Sequence, residues 1–78
     1  MATDKESKKL QINFSDEGLT DLDLLQRQIH APSRAETIRR ALRLLQWAAE
    51  EIHKGNKLCL EQPEGIREVL LPFIKQRG

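Results

Sequence analysis

Lys9, Gln11 and Asn13, at alternate positions, are the residues of this chain whose types and spacing could do recognition chemistry. Glutamine and asparagine amides can pair in bidentate fashion with adenine N6 and N7, and a lysine can donate to guanine O6 and N7. The three side chains share a face only on an extended backbone, whose successive side chains point to opposite sides. The other face is then Leu10, Ile12 and Phe14. Catalysis is not expected: the chain has no glycine-rich phosphate loop, and no Ser/His/Asp or Cys/His set at workable spacing. His30, His53 and Cys59 lack the pair spacings that bind zinc, so neither a metal nor another cofactor is expected.

The element that must carry these side chains is one short strand over residues 8–15, with no obvious partner nearby. Residues 16–54 read as helix apart from one turn, and a lone strand leaves a row of N–H and C=O groups unpaired. The simplest partner is the same strand from a second copy. Two such strands, antiparallel, make a ribbon whose polar face carries six side chains suited to reading base edges. Two other readings compete. Lys9, Gln11 and Asn13 are merely the wet face of a half-buried sheet, or residues 10–14 pair with the C-terminal part of their own chain and leave a monomer.

Ser15 is a good N-cap for a first helix, with Asp16 and Glu17 in the turn where the helix dipole favours anions. Leu19, Leu22, Leu25 and Ile29 form its apolar stripe. Pro32 pushes Ala31 out of the helical region and ends it. Ser33-Arg34-Ala35-Glu36 has the form of a capping box and opens a second helix that runs to about Lys54, where Gly55-Asn56 stops it. Ala35, Ile38, Ala41, Leu42, Leu45, Ala48, Ala49 and Ile52 gather into a band wide enough for a core face. Trp47 lies opposite, among charged residues, where the C-terminal segment is expected to cover it. Glu36 stands three and four residues before Arg39 and Arg40, the spacing of ordinary helix-surface pairs. Farther on, residues 57–61 and 66–71 flank Gln62-Pro63-Glu64-Gly65. This is a hairpin signal, because Pro63 presets φ and Gly65 accepts a positive one.

Residues 8–54 resemble the ribbon-helix-helix family of prokaryotic and phage regulators, which includes the Arc and methionine repressors. The matching parts are the alternating Lys9-Leu10-Gln11-Ile12-Asn13-Phe14, the helix opening Ser33-Arg34-Ala35-Glu36-Thr37-Ile38-Arg39, and Ala41-Leu42 at the small-plus-large core step. The inter-helix turn departs from the family, with Ala31-Pro32 where a glycine is usual. The resemblance implies a mainly α homodimer with an intermolecular antiparallel ribbon in the DNA major groove. It makes Lys9, Gln11 and Asn13 base readers, and Ser33 and Arg34, with their backbone N–H groups, a phosphate clamp. A phosphate at a helix N-terminus gains free N–H groups and the dipole. Lys5 and Lys8, on a doubled N-terminal arm, add phosphate contacts.

Size and composition agree with a dimer. At 78 residues the chain is one domain at most, and a core this small rarely supplies more than ~3–5 kcal/mol without a staple, a metal or a second subunit. Cys59 is the only cysteine, which excludes an intrachain disulfide and is read as a small core residue in a reduced, cytoplasmic, nucleoid-associated protein. No apolar run is long enough for a membrane span. With 13 basic and 12 acidic residues, net charge +1, bulk charge does not argue for nucleic acid, so any footprint must be local.

The organisation expected is a flexible arm over residues 1–7, a ribbon-helix-helix domain over residues 8–54, and a C-terminal β-hairpin extension over residues 56–78. The function expected is sequence-specific binding of double-stranded DNA as a repressor or autoregulator, by a homodimer or a higher-order assembly on DNA. Two rivals differ in class: an antitoxin whose residues 56–78 bind a toxin protein, and a structural dimer that binds no DNA.

Overall fold

A computed structural model describes residues 8–75. The arm expected over residues 1–7, with Lys5, lies outside them. The architecture is a small α+β fold: helix α1 (Asp16–Gln28), helix α2 (Arg34–His53), and an antiparallel pair of strands, β1 (Leu58–Gln62) and β2 (Gly65–Val69). Neither helix is long and apolar enough to cross a membrane.

Both helices begin as their sequences dictate. The Ser15 hydroxyl accepts from the Gly18 amide at 3.0 Å, and the Ser33 hydroxyl accepts from the Glu36 amide at 3.1 Å. Each bond satisfies one donor that a first helical turn leaves without a partner. The box at Ser33 is half of the expected one. The Glu36 carboxylate does not return to the Ser33 amide but accepts from Arg39 and Arg40, both at 3.1 Å.

The two helices end in the same way. After α1, the His30 amide donates to the Arg27 carbonyl and the Ala31 amide to the Gln26 carbonyl. After α2, the Gly55 amide donates to Ile52 and the Asn56 amide to Glu51. This is the Schellman arrangement, which needs a left-handed residue just past the helix. Gly55 fills that role at φ 98, and His30 at φ 55. The turn at Ala31-Pro32 therefore dispenses with a glycine because His30 takes the left-handed position, and α1 is already finished before Pro32.

The hairpin pairs Leu58 with Val69, Leu60 with Arg67, and Gln62 with Gly65. Gln62 and Gly65, expected in the turn, instead close the ladder around a loop of Pro63 and Glu64. Gly65 has φ 138, where an L side chain is strained. Cys59, expected to pack in a core, is exposed on the hairpin face it shares with Glu61 and Glu68.

Little of the chain is enclosed. Ala31, Ala48, Ile52 and Thr37 are the buried residues among those described. Thr37 was not singled out by its sequence. It is fully buried at the start of α2, and its hydroxyl donates to the Ser33 carbonyl one turn back at 2.9 Å, which spares an unpaired polar group. Ile52 borders one open cavity with Leu58, Val69, Leu71 and Ile74, on the side where the hairpin lies near the end of α2. The rest of the expected core band is open, with Leu42 61% and Leu45 44% exposed. The radius of gyration is 16.0 Å, against about 11 Å for a compact domain of this length.

Candidate nucleic-acid interface

Residues 8–14 lead into the Ser15 cap without forming a helix or strand, and make no hydrogen-bonded ladder with any described residue. The strand expected there is not formed among the described residues, and neither is the pairing with the chain's own hairpin, since the sheet they make contains β1 and β2 alone. Lys8, Lys9, Gln11 and Asn13 are all exposed. On the other side Leu10, Ile12 and Phe14 border an open groove with Leu19, Leu22 and Ile38. The groove is unfilled: Leu10 remains 82% and Ile12 52% exposed. Phe14 is the anchor. Gly18 on the first turn of α1 lets its ring lie close, because a Cβ there would meet Phe14 Cδ2 at 3.1 Å. No periodic signal marks Gly18 for this role.

The opening of α2 stands beside the segment, with Arg34 and Ala35 bordering the same groove. Ser33 is present as expected, but its hydroxyl is engaged in capping. The Arg34 guanidinium is engaged too: Nε donates to Asp23 Oδ1 at 2.8 Å and Nη2 to Asp23 Oδ2 at 3.0 Å. The fork-to-fork geometry matches the way a guanidinium holds a phosphate. The hydrogen bonds from Arg34 hold the Asp23 carboxyl below the ordinary aspartate range, and Asp23 raises the guanidinium in turn. The amides of Arg34 and Ala35, at the head of the helix, have no i−4 carbonyl to donate to. Asp23 lies off the apolar stripe of α1, and no local pattern links it to a residue across a turn.

Arg39 and Arg40 of α2 are held locally. Glu36 accepts from Arg39 and Arg40, which keep its carboxyl below the ordinary glutamate range. Arg40 also donates through Nη1 to the Ile29 carbonyl at 3.1 Å, tying the end of α1 to α2. The arginine row is thus a helix-surface network, as its spacing suggested. Trp47 borders a second groove with Leu58, Cys59 and Leu60, so the hairpin reaches it, but the indole is still 51% exposed. No family model, curated protein or solved structure matches this chain.

Proposed function

We propose that the chain is a homodimeric, sequence-specific DNA-binding regulator of the ribbon-helix-helix type. In this dimer, residues 8–14 of two copies pair antiparallel, and the ribbon enters the major groove with Lys9, Gln11 and Asn13 against base edges. The observation that carries the reading is the state of residues 8–14: in no helix or strand of the single chain, with Leu10 and Ile12 exposed in alternation with exposed Lys9, Gln11 and Asn13. A second copy satisfies both halves of that description. Its strand pairs the free N–H and C=O groups, and its helices cover Leu42 and Leu45, which continue the apolar side along α2. A two-stranded ribbon fits the major groove of B-DNA. The two-fold axis of the dimer implies an operator with inverted or closely spaced repeats. The protein then acts as a cytoplasmic, nucleoid-associated repressor or autoregulator.

The test begins with selection of bound duplexes from a random pool. On the selected operator, Gln11→Ala and Asn13→Ala should each lose about 1–3 kcal/mol of discrimination per lost base pair contact. Affinity for random DNA should barely change, because phosphate contacts carry that part. Arg34→Ala should do the reverse, weakening binding to all sequences and shallowing the salt slope by about one unit per lost phosphate contact. Folded dimers of Gln11→Ala and Asn13→Ala that bind the operator like the parent would remove the ribbon as reader.

A second reading is favoured by the exposed Ile66, Leu70 and Phe73 at the C-terminal end. There residues 56–78 hold a protein partner, as in an antitoxin that represses its own operon. Limited proteolysis separates the two, since a hairpin docked on its own α2 resists cleavage and a partner-dependent tail does not.

A further inference from the structure

Arg34 is the phosphate contact of the DNA reading above, but the Nε–Nη2 edge of its guanidinium is taken: both carboxylate oxygens of Asp23 occupy it, at 2.8 and 3.0 Å. The pair is not a buried structural pin. The two side chains are 54% and 40% exposed, open to exchange with an anion from solution. Arg34 also borders the groove formed with Leu10, Ile12 and Phe14, on the side of the molecule that carries the unpaired segment. A carboxylate and a phosphate present the same acceptor geometry to a guanidinium, so both cannot hold its Nε–Nη2 edge at once.

We propose that Asp23 is a built-in competitor for DNA phosphate at Arg34, so that each chain exchanges a carboxylate for a phosphate when it engages a duplex. This rests on the DNA reading above. Its consequence is a low baseline affinity for duplex of any sequence. That affinity is almost wholly electrostatic, and here one guanidinium per chain is neutralised in advance and one negative charge stands beside the phosphate it would meet. With a net charge of only +1, the protein depends on such local cations, so one of them held back weighs heavily. The base-reading side chains then contribute a larger share of useful binding, because the non-specific background is kept low.

The experiment measures binding of the full chain to the selected operator and to a random duplex over a salt series. It compares the parent, Asp23→Asn, Asp23→Ser, Arg34→Ala and the double variant Asp23→Asn/Arg34→Ala, each first verified as helical by circular dichroism. Asp23→Asn is expected to tighten binding to both duplexes by about threefold per chain, the scale of an exposed ion pair, and to steepen the salt slope by about one unit per chain. The gain must vanish in the Arg34→Ala background. Asp23→Ser, which also lacks the charge, should repeat the gain, and it carries the test if the asparagine variant does not fold. A parent that binds DNA while both Asp23 variants bind with unchanged affinity and slope overturns the competitor and leaves the DNA reading intact. A gain that persists without Arg34 also overturns it, because Asp23 then acts by general repulsion. No binding of any duplex by any variant at low salt overturns the DNA reading, and the competitor with it.

Discussion

Residues 8–14 and residues 58–69 both mix apolar with polar side chains, yet only the second stretch forms a hydrogen-bonded sheet among the described residues. The hairpin closes because Pro63-Glu64 and the positive φ of Gly65 turn the backbone on itself, and its Leu58 and Val69 border one cavity with Ile52 at the end of α2. The N-terminal segment has no turn to return it and no strand within reach, so its hydrogen-bonding edge and its Leu10 side remain open. The difference separates two kinds of information in one sequence. The C-terminal part specifies a contact within the chain. The N-terminal part, like the Leu42 and Leu45 face of α2, leaves its apolar side chains exposed in the single chain.

The largest expected effect breaks the comparison on the N-terminal side. If the open segment and α2 face are completed by a second copy, light scattering should give twice the 9.0 kDa chain mass. The thermal midpoint should fall steadily over about a hundredfold dilution, as it does when folding and association are one process. Ile12→Lys or Leu42→Lys, each putting a charge into the shared core, should abolish the dimer and with it most of the cooperative helix signal. A flat midpoint at a mass of one chain would mean that the exposed leucines belong to a monomer. Both open surfaces would then need another explanation.

A smaller effect is expected on the C-terminal side. Gly65 adopts φ 138, and a side chain there introduces strain of about 1–3 kcal/mol. Gly65→Val should loosen the hairpin while leaving the helices in place. Amides of residues 58–69 should lose exchange protection before those of α2. Trp47 should shift its emission to the red by a small amount, because the indole is already 51% exposed with the hairpin beside it. Loss of helix and hairpin together would show that the two regions are one cooperative unit, and would weaken the contrast between them.

The sequence was legible wherever structure is decided within a few residues. Ser15 and Ser33 cap their helices, Gly55 ends α2, and the Pro63 and Gly65 pair marks the hairpin, because each effect acts through the nearest backbone groups. It was misleading where one residue can substitute for another's geometry. His30 takes the left-handed position that a glycine search would miss, and Pro32 follows a helix already ended. It was silent where partners come from different elements. Asp23 and Arg34 stand on two helices, and Phe14 meets Gly18 across a cap, so neither pair has a periodic signature. Burial was the hardest to read, since a stripe such as Ile38, Leu42 and Leu45 states which side is apolar but not what lies against it. Of the candidate site, Lys9, Gln11 and Asn13 share the exposure expected of them, whereas Ser33 and Arg34 are already engaged.

The smallest effect sharpens the comparison through acid. Glu51, on the last turns of α2, accepts from Asn56 Nδ2 at 2.8 Å and pairs with Lys54 at 3.5 Å. The Asn56 hydrogen bond, then the Lys54 charge, hold its carboxyl below the ordinary glutamate range. A lowered folded value means that the ionised form is favoured by folding. Its contribution is therefore complete above the unfolded pKa and is lost as pH falls through the folded one. Asn56 leads directly into the hairpin, so this loss should be felt there. Protection of the β1 and β2 amides should be level from neutral pH down to about 5 and decline only below the usual glutamate pKa of about 4.3. The Arg34 and Asp23 pair follows the same sign but connects α1 to α2, so its loss should register in the helices rather than in the hairpin. In Glu51→Gln, where the amide oxygen can still accept from Asn56 but carries no charge, the acid-dependent decline at the hairpin should flatten while that of the helices persists. Both pairs are exposed, so the change is expected to be slight and needs residue-resolved exchange to detect. An unchanged decline at the hairpin in Glu51→Gln would show that Glu51 does not govern it.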